Sequence, residues 1–323
     1  MSATREDTTA EFLGVARQAF ASSEGDAALD ALGWWDLLPH LHDPELRPAA
    51  FAVFRAQGGA LGSSAALGGL LAQPYLEDTH RPAASVLSAV RRTSKTRGDV
   101  WVLVGDQADR AVLIDQPGQG AMILEVEQVE LQRVDIPGQL RLHEVNVDLS
   151  AFTATIDESV AAPARVRSTF IGRIALALEI LGAAEQALEL AVDYAGQREQ
   201  FGQAIGGFQA VRHLLAWAKT DVVALESATG HAVRLGANLP TDFGAVVKAL
   251  AGRNGRRACE RSLQVLGGIG FTTEFDHHHF HSRVMALDAL LGSTSALTRE
   301  LGAALRETRQ HPGYPASLLL TEQ

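Results

Sequence analysis

A chain of 323 residues is long enough for two or three folded units, and 46% hydrophobic against 20% charged residues describes a globular protein with a large core. Its formal net charge of −10 argues against a nucleic-acid binder, which needs a basic patch to neutralise phosphates. One cysteine, Cys259, excludes a disulfide framework and any zinc or iron–sulfur site built from several thiolates. The opening MSATREDTTAEF has no basic stretch ahead of an apolar one, so no secretory leader is expected. The longest apolar run, Ile174 to Val192, carries Glu179, Glu185 and Glu189, which a spanning helix would have to bury in hydrocarbon. The expected location is the cytoplasm.

Three zones follow one another. From about Thr8 to Tyr75 the chain is rich in Ala and Leu and reads mostly as helix, with Asp43 and Pro44 suited to a helix start. Gly58, Gly59, Gly62, Gly68 and Gly69 suit close helix contacts better than a phosphate loop. From about Val100 to Leu149 the pattern turns to short strands: Trp101–Val104 and Ala111–Ile114 joined by a turn at Gly105 and Asp106, then Ala121–Val126, Val129–Val134 and Leu140–Val147. Pro117-Gly118 and Pro137-Gly138 punctuate them. From about Ala161 helices return, the first starting near Pro163. Ile171, Ile174, Leu178 and Leu181 form one apolar stripe and Leu176, Ile180, Ala183 and Ala187 a second, so this helix is buried between neighbours. Further helices are expected over Phe208–Leu235, Phe243–Leu266 and Thr294–Thr308.

His277, His278, His279 and His281 invite a metal reading. Only His277 and His281, one helical turn apart, make a plausible ligand pair, and no HExxH arrangement completes it, so no metal site is expected. There is no GxSxG elbow and no P-loop, and Gly267–Gly270 follows a helix where a dinucleotide fingerprint follows a strand.

Two motifs carry more. Tyr194-Ala-Gly-Gln-Arg-Glu-Gln-Phe-Gly202, continued by Phe208-Gln-Ala-Val-Arg-His213, resembles the helix-end motif of acyl-CoA dehydrogenases. Gln264-Val-Leu-Gly-Gly-Ile-Gly-Phe-Thr272, then Glu274 and the His277–Arg283 run, resembles that family's second motif, in the right order and at the right separation. The resemblance implies a mainly α fold with a small β domain: an N-terminal helical domain (1–99), a reduced middle β domain (100–155) and a C-terminal four-helix bundle (156–323) carrying an FAD half-site and an oligomer interface. It assigns Arg198, Gln200, Phe201, Gln264, Gly267 and Gly268 to the pyrophosphate and adenosine side of an FAD held by a neighbouring subunit. Chemically the set is apt: a guanidinium suits a phosphate oxygen, Phe201 an apolar wall, and the glycine pair lets backbone amides approach a ligand.

The family removes the substrate α-proton with a carboxylate while a hydride leaves the β-carbon for the flavin. Its Glu stands at one of two places, which here hold Leu291, before Gly292-Ser293-Thr294, and Gly172, counted back from Tyr194. No catalytic residue is therefore expected. Glu179, two turns or about 10.5 Å from Gly172, reads as a structural or interface carboxylate, and Asp288 as a weaker alternative base. The family's flavin-cradling strand has no recognisable counterpart between Pro74 and Val100. This combination resembles the shorter subunit of heteromeric steroid-degrading acyl-CoA dehydrogenases. It implies an α2β2 assembly in which a longer partner holds most of the FAD and the acyl-CoA, and an electron-transfer protein accepts the electrons; neither nucleic acid nor membrane is a partner. The alternatives are a self-sufficient homo-oligomeric dehydrogenase using Glu179 or Asp288, and a flavin-free scaffold or regulatory protein.

Overall fold

The chain runs helices, β layer, helices in a computed structural model that describes residues 2–308 apart from 24, 78, 80, 95–97, 106–108 and 137. Asp106 and Pro137, both expected in turns, lie outside the described residues. The first zone holds α1 (Ser2–Ser22), α2 (Asp26–Ala31), α3 (Arg47–Gly59) and α4 (Ala66–Leu76). The helix start expected at Asp43 is displaced by a turn. Asp43 accepts from Glu45 N through its side chain at 2.7 Å and from Arg47 N through its carbonyl at 3.0 Å, so a separate turn closes there. Pro48 then sits in the first turn of α3.

The β layer begins earlier than the sequence reading placed it. β1 (Val86–Ser88) and β2 (Val90–Ser94) precede β3 (Gly98–Val104), β4 (Ala111–Gln116), β5 (Gly120–Leu124), β6 (Glu130–Ile136) and β7 (Leu140–Asn146). They form two sheets, ordered β1-β4-β5 and β2-β3-β7-β6, antiparallel except for the β1–β4 pair. β3 and β4, expected as a joined pair, therefore part into different sheets. Gly105 turns the chain between them at φ 86, its N–H donating to Arg141 O at 2.9 Å, and a Cβ there would collide with the Ser64 carbonyl.

α5 (Glu158–Gln197) is the axis of the molecule. It starts five residues before Pro163, because the Asp157 carbonyl accepts from Val160 and Ala161 N–H at 2.9 and 2.8 Å and Arg165 holds the Glu158 carboxylate at 2.9 and 2.8 Å. The carbonyl that Pro163 cannot serve belongs to exposed Ser159, where water reaches it. Every residue from Ile174 to Ala184 is buried, in agreement with the two apolar stripes. α3, α4, α6 (Gln209–Leu235), α7 (Phe243–Leu266) and α8 (His277–Asp288) pack around it, and α9 (Thr294–Thr308) packs on α7. α3 meets α5 backbone to backbone: a Cβ on Gly58 would strike Glu179 O, and one on Gly182 would strike Arg55 O. Among the described residues no helix is long and apolar enough to cross a membrane.

Glu179 is no interface residue. It is buried within the chain against Arg283 of α8, the two side chains 1% and 0% exposed. Arg283 donates to Glu179 Oε1 from Nε at 3.0 Å and from Nη2 at 2.5 Å, and to the carbonyls of Gly138 and Gln139 from Nη1 at 3.2 and 3.3 Å. Nη2 also donates to Gly62 O. One guanidinium thus joins α5, α8, the α3–α4 loop and the β6–β7 turn. Such a planar fork can bond a carboxylate and several carbonyls at once, which a lysine could not.

A second buried cation closes the α7–α8–α9 corner. Lys248 Nζ donates to the carbonyls of Asp288 at 3.1 Å and Gly292 at 3.4 Å and lies 3.6 Å from Asp288 Oδ1. That oxygen accepts from Thr294 N at 3.0 Å and Thr294 Oγ1 at 2.7 Å, capping α9. Burial brings the Lys248 pKa down to about 8 in spite of Asp288.

Two stability predictions follow from these cations. Arg283→Met leaves Glu179 charged and unpaired in the core and lowers unfolding free energy by about 3–5 kcal/mol, while Glu179→Gln/Arg283→Met recovers part of it. Urea denaturation measures both, and a loss under about 1 kcal/mol for the single variant would contradict the role given to the pair. Lys248 has its folded pKa below the unfolded 10.5, so between about 8 and 10.5 the unfolded chain holds the extra proton and stability rises with pH. From about pH 7 to about pH 10 the wild type therefore gains stability relative to Lys248→Met; parallel profiles would count against it.

Candidate functional site

The two sequence motifs come together at one end of the bundle. Ala191 and Ala195 of α5 cluster with Val265 and Leu266 of α7, backed by Val211 and Leu214 of α6 and by Phe275. Tyr194 and Phe275 meet edge to face at 6.2 Å. After α5 a hairpin of β8 (Glu199–Gln200) and β9 (Gln203–Ala204) carries Phe201 and Gly202 at its tip, both at positive φ. α7 stops at Gly267, whose φ 63 and ψ −137 suit only glycine.

This end is exposed. Phe201 is 93% exposed, with its edge toward Phe208 at 6.1 Å, and Phe271, inside the second motif but not singled out from sequence, is 77% exposed. Arg198 is exposed and has no ion-pair partner among the described residues. Gln264 and Gly268 are exposed, Gly267 half-exposed, and a Cβ at either glycine would meet nothing within 4 Å. Gln200 spends its amide on the neighbouring Glu199 carbonyl at 2.7 Å. Arg198, Gln200 and Phe201 follow the end of α5, and Gln264, Gly267 and Gly268 lie at the end of α7, the two helix ends that cluster through Ala195, Val265 and Leu266.

The other centre is closed. Gly172 on α5 and Leu291, 119 positions later, face each other. A Cβ on Gly172 would lie 2.7 Å from Leu291 Cδ1 and collide with Leu71 Cδ2. Leu291 adopts φ 52, and its carbonyl accepts from Arg173 Nε at 3.1 Å. An antiparallel bridge joins Arg92 of β2 to the adjacent Leu290, laying the β layer directly over this loop. The part played by Leu71 and β2 was not visible from sequence, since α4 is apolar apart from Gln73 and no pattern marks which leucine fills a gap.

The alternative bases are both engaged. Glu179 is buried and held by Arg283 through Oε1, and Asp288 caps α9 beside Lys248. In the histidine run, His277 is buried with Nε2 3.0 Å from Cys259 O, and burial brings its pKa down to about 4. Its ring centroid is 6.3 Å from that of His281, and no cluster of metal-binding side chains occurs among the described residues.

The residues present fit a flavin dinucleotide in one half only. An exposed guanidinium, an apolar ring standing in water and an unobstructed glycine pair suit the charged, aromatic tail of such a molecule. Beside Gly172, one of the two positions where the resemblance expects the family's Glu, leucine side chains already occupy the space.

Comparison with known proteins agrees with this architecture. Residues 166–305 match the sequence model of the acyl-CoA dehydrogenase C-terminal domain. The acyl-CoA dehydrogenase IpdE2 of Mycobacterium tuberculosis is 30% identical over 270 residues, covering 82% of this chain and 79% of that protein. The acyl-CoA dehydrogenase FadE34 of the same organism is 31% identical over 225 residues, covering 66% of this chain, which spans only 30% of that relative's length. Among solved structures, a variant of the Tcur3481–Tcur3483 steroid ACAD superimposes with a TM-score of 0.73 at 21% identity, covering 94% of this chain and 99% of its own. The ChsE4–ChsE5 complex of Mycobacterium tuberculosis gives 0.68 at 21%, covering 93% and 97%. A glutaryl-CoA dehydrogenase of Mycobacterium smegmatis in complex with FADH2 gives 0.68 at 14%, covering 93% and 95%. With the helix–sheet–helix order and both motifs in place, the chain belongs to the acyl-CoA dehydrogenase family.

Proposed function

We propose that this chain is a non-catalytic but required subunit of an FAD-dependent acyl-CoA dehydrogenase, desaturating a bulky, steroid-derived acyl-CoA at Cα–Cβ. The observation that carries this reading is the Gly172–Leu291 contact: both places where the family keeps its Glu converge on one spot, and neither offers a proton acceptor. A longer partner chain then supplies the base, most of the flavin contacts and the acyl-CoA site, in an α2β2 assembly that passes electrons to a transfer protein in the cytoplasm. Two structures of this fold are named for paired chains, one of them a steroid enzyme, which supports the assembly and the substrate class by analogy.

In this reading the three-domain division at 1–99, 100–155 and 156–323 stands, with the bundle as the half that reaches the partner. FAD, when bound, supplies the hydride acceptor. This chain's residues hold its tail: Arg198 neutralises pyrophosphate charge, Gln200 and Gln264 offer amide donors and acceptors, Phe201 walls off water, and Gly267 and Gly268 present backbone N–H groups. The exposure of Phe201 supports the partner, because an isolated ring so placed gains nothing from the hydrophobic effect until a second surface covers it.

Purified alone, the chain is expected to be colourless and inactive toward acyl-CoA, gaining flavin and activity with a longer dehydrogenase chain that carries the Glu. A yellow, active homo-oligomer would replace this reading with the self-sufficient one, and indifference to every such partner with the scaffold. In the mixed complex Arg198→Ala removes a charge-assisted hydrogen bond worth about 1.5–3 kcal/mol. Flavin retention, read by absorbance after gel filtration, should weaken roughly ten- to a hundredfold; unchanged occupancy takes Arg198 out of the site.

A further inference from the structure

Trp217 lies on the outside of α6 and is 58% exposed, although tryptophan is on average a well-buried residue. Its ring is nonetheless held in place. His213, one turn earlier, stacks on it with ring centroids 6.4 Å apart and planes at 29°, and the Arg261 guanidinium of α7 lies 5.8 Å from the ring centroid. Arg261 is fixed in turn, donating to Trp217 O at 3.1 Å and to the Asp221 carboxylate. An aromatic side chain so immobilised loses little further freedom when a second surface covers it.

Arg257 precedes Arg261 by one turn on the same stripe of α7, and Gln264 follows it by another. Arg257 is exposed. Asp221 pairs with Arg261, and Glu260 pairs with Arg256 at 3.6 Å. Arg257 has no hydrogen-bond or ion-pair partner among the described residues. It lies seven residues from Gln264, about 10.5 Å along the helix. A specific interface covers about 800 Å² on each side, a patch with a radius of about 16 Å. A surface of that size centred on the flavin-tail residues therefore extends over Trp217 and Arg257.

We infer that Trp217 and Arg257 anchor the longer partner chain, Trp217 against an apolar side chain of that partner and Arg257 against one of its carboxylates. A guanidinium covered by an interface needs a counter-charge, because a buried cation left unpaired is strongly destabilising. The planar fork of arginine suits a carboxylate in that role. The inference rests on the subunit reading and adds to it a contact made between the two chains directly, without the flavin.

The test uses a longer dehydrogenase chain encoded in the same genome and carrying Glu before its Gly-Thr pair. That chain is immobilised, and the binding of this one is followed by biolayer interferometry. Trp217→Ala is expected to weaken binding roughly thirtyfold and Arg257→Gln roughly tenfold, with Arg257→Lys between Arg257→Gln and the wild type. Both side chains are exposed, so the variants fold, which thermal melts verify. Trp217 is the most exposed of the four tryptophans, so iodide quenches the free wild type more than Trp217→Phe, and the difference disappears in the complex. Wild-type affinity in the Trp217→Ala and Arg257→Gln variants, with Trp217 still open to iodide in the complex, overturns the inference and leaves the subunit reading standing. Failure of the wild type to bind any such chain overturns both. If this chain sediments alone as a dimer that Trp217→Ala dissociates, the face belongs to a second copy and the inference falls.

Discussion

The fold depends on one buried charge pair. α5 cannot be a simple apolar core helix, because Glu179 sits in its fully buried stretch. A carboxylate at that depth is tolerated only with a cation and hydrogen bonds around it. Arg283 provides them and, having donors to spare, also binds carbonyls of the α3–α4 loop and the β6–β7 turn. The first two zones of the chain thus send backbone carbonyls, and the third the Glu179 carboxylate, to the same guanidinium. A hydrophobic pair of equal volume could match its stability, but it would not fix which loop meets which hairpin.

The middle of α5 shows how the space beside Gly172 is filled. Arg173 donates to the Leu291 carbonyl, Lys248 donates to the Asp288 and Gly292 carbonyls, and Leu291 adopts a positive φ. Removing a side chain at residue 172 would open a cavity, costing about 24 cal/mol for each cubic ångström left empty. Leu71 and Leu291 occupy that space, so the glycine carries little penalty. The backbone bridge from Arg92 to Leu290 is compatible with this filling and draws β2 onto the loop.

Much of the architecture was legible in the sequence because it rests on period and punctuation. The bounds of α7 and α9 coincide with the hydrophobic pattern, and the two stripes of α5 correspond to a stretch buried on every side. β1 and β2 were not legible: each is short, and neither alternates cleanly, since β1 is buried throughout. The separation of β3 from β4 was hidden as well, because the sequence shows a glycine but not the Ser64 carbonyl that requires one. Glu179 was recognisable as a burdened residue but its partner was not, as 104 positions separate it from Arg283. At the exposed end of the bundle, the motifs marked the residues but said nothing of their distance from one another.

The middle and the C-terminal end of α5 pose opposite problems of solvation. Midway along the helix, Glu179 Oε1 is held by Arg283, and leucine side chains fill the space beside Gly172. At its C-terminal end lie an exposed aromatic ring, a glycine pair with open space around it and a guanidinium without an ion-pair partner among the described residues, a combination that adds nothing to the stability of the isolated chain. Fully burying a phenylalanine is worth about 1.5–3 kcal/mol, a gain that Phe201 realises only when another surface covers it. A backbone held at positive φ for Phe201 adds strain in the same place. Residues that raise the free energy of the isolated chain, gathered at the C-terminal end of α5, are what the proposed subunit joint requires of this face.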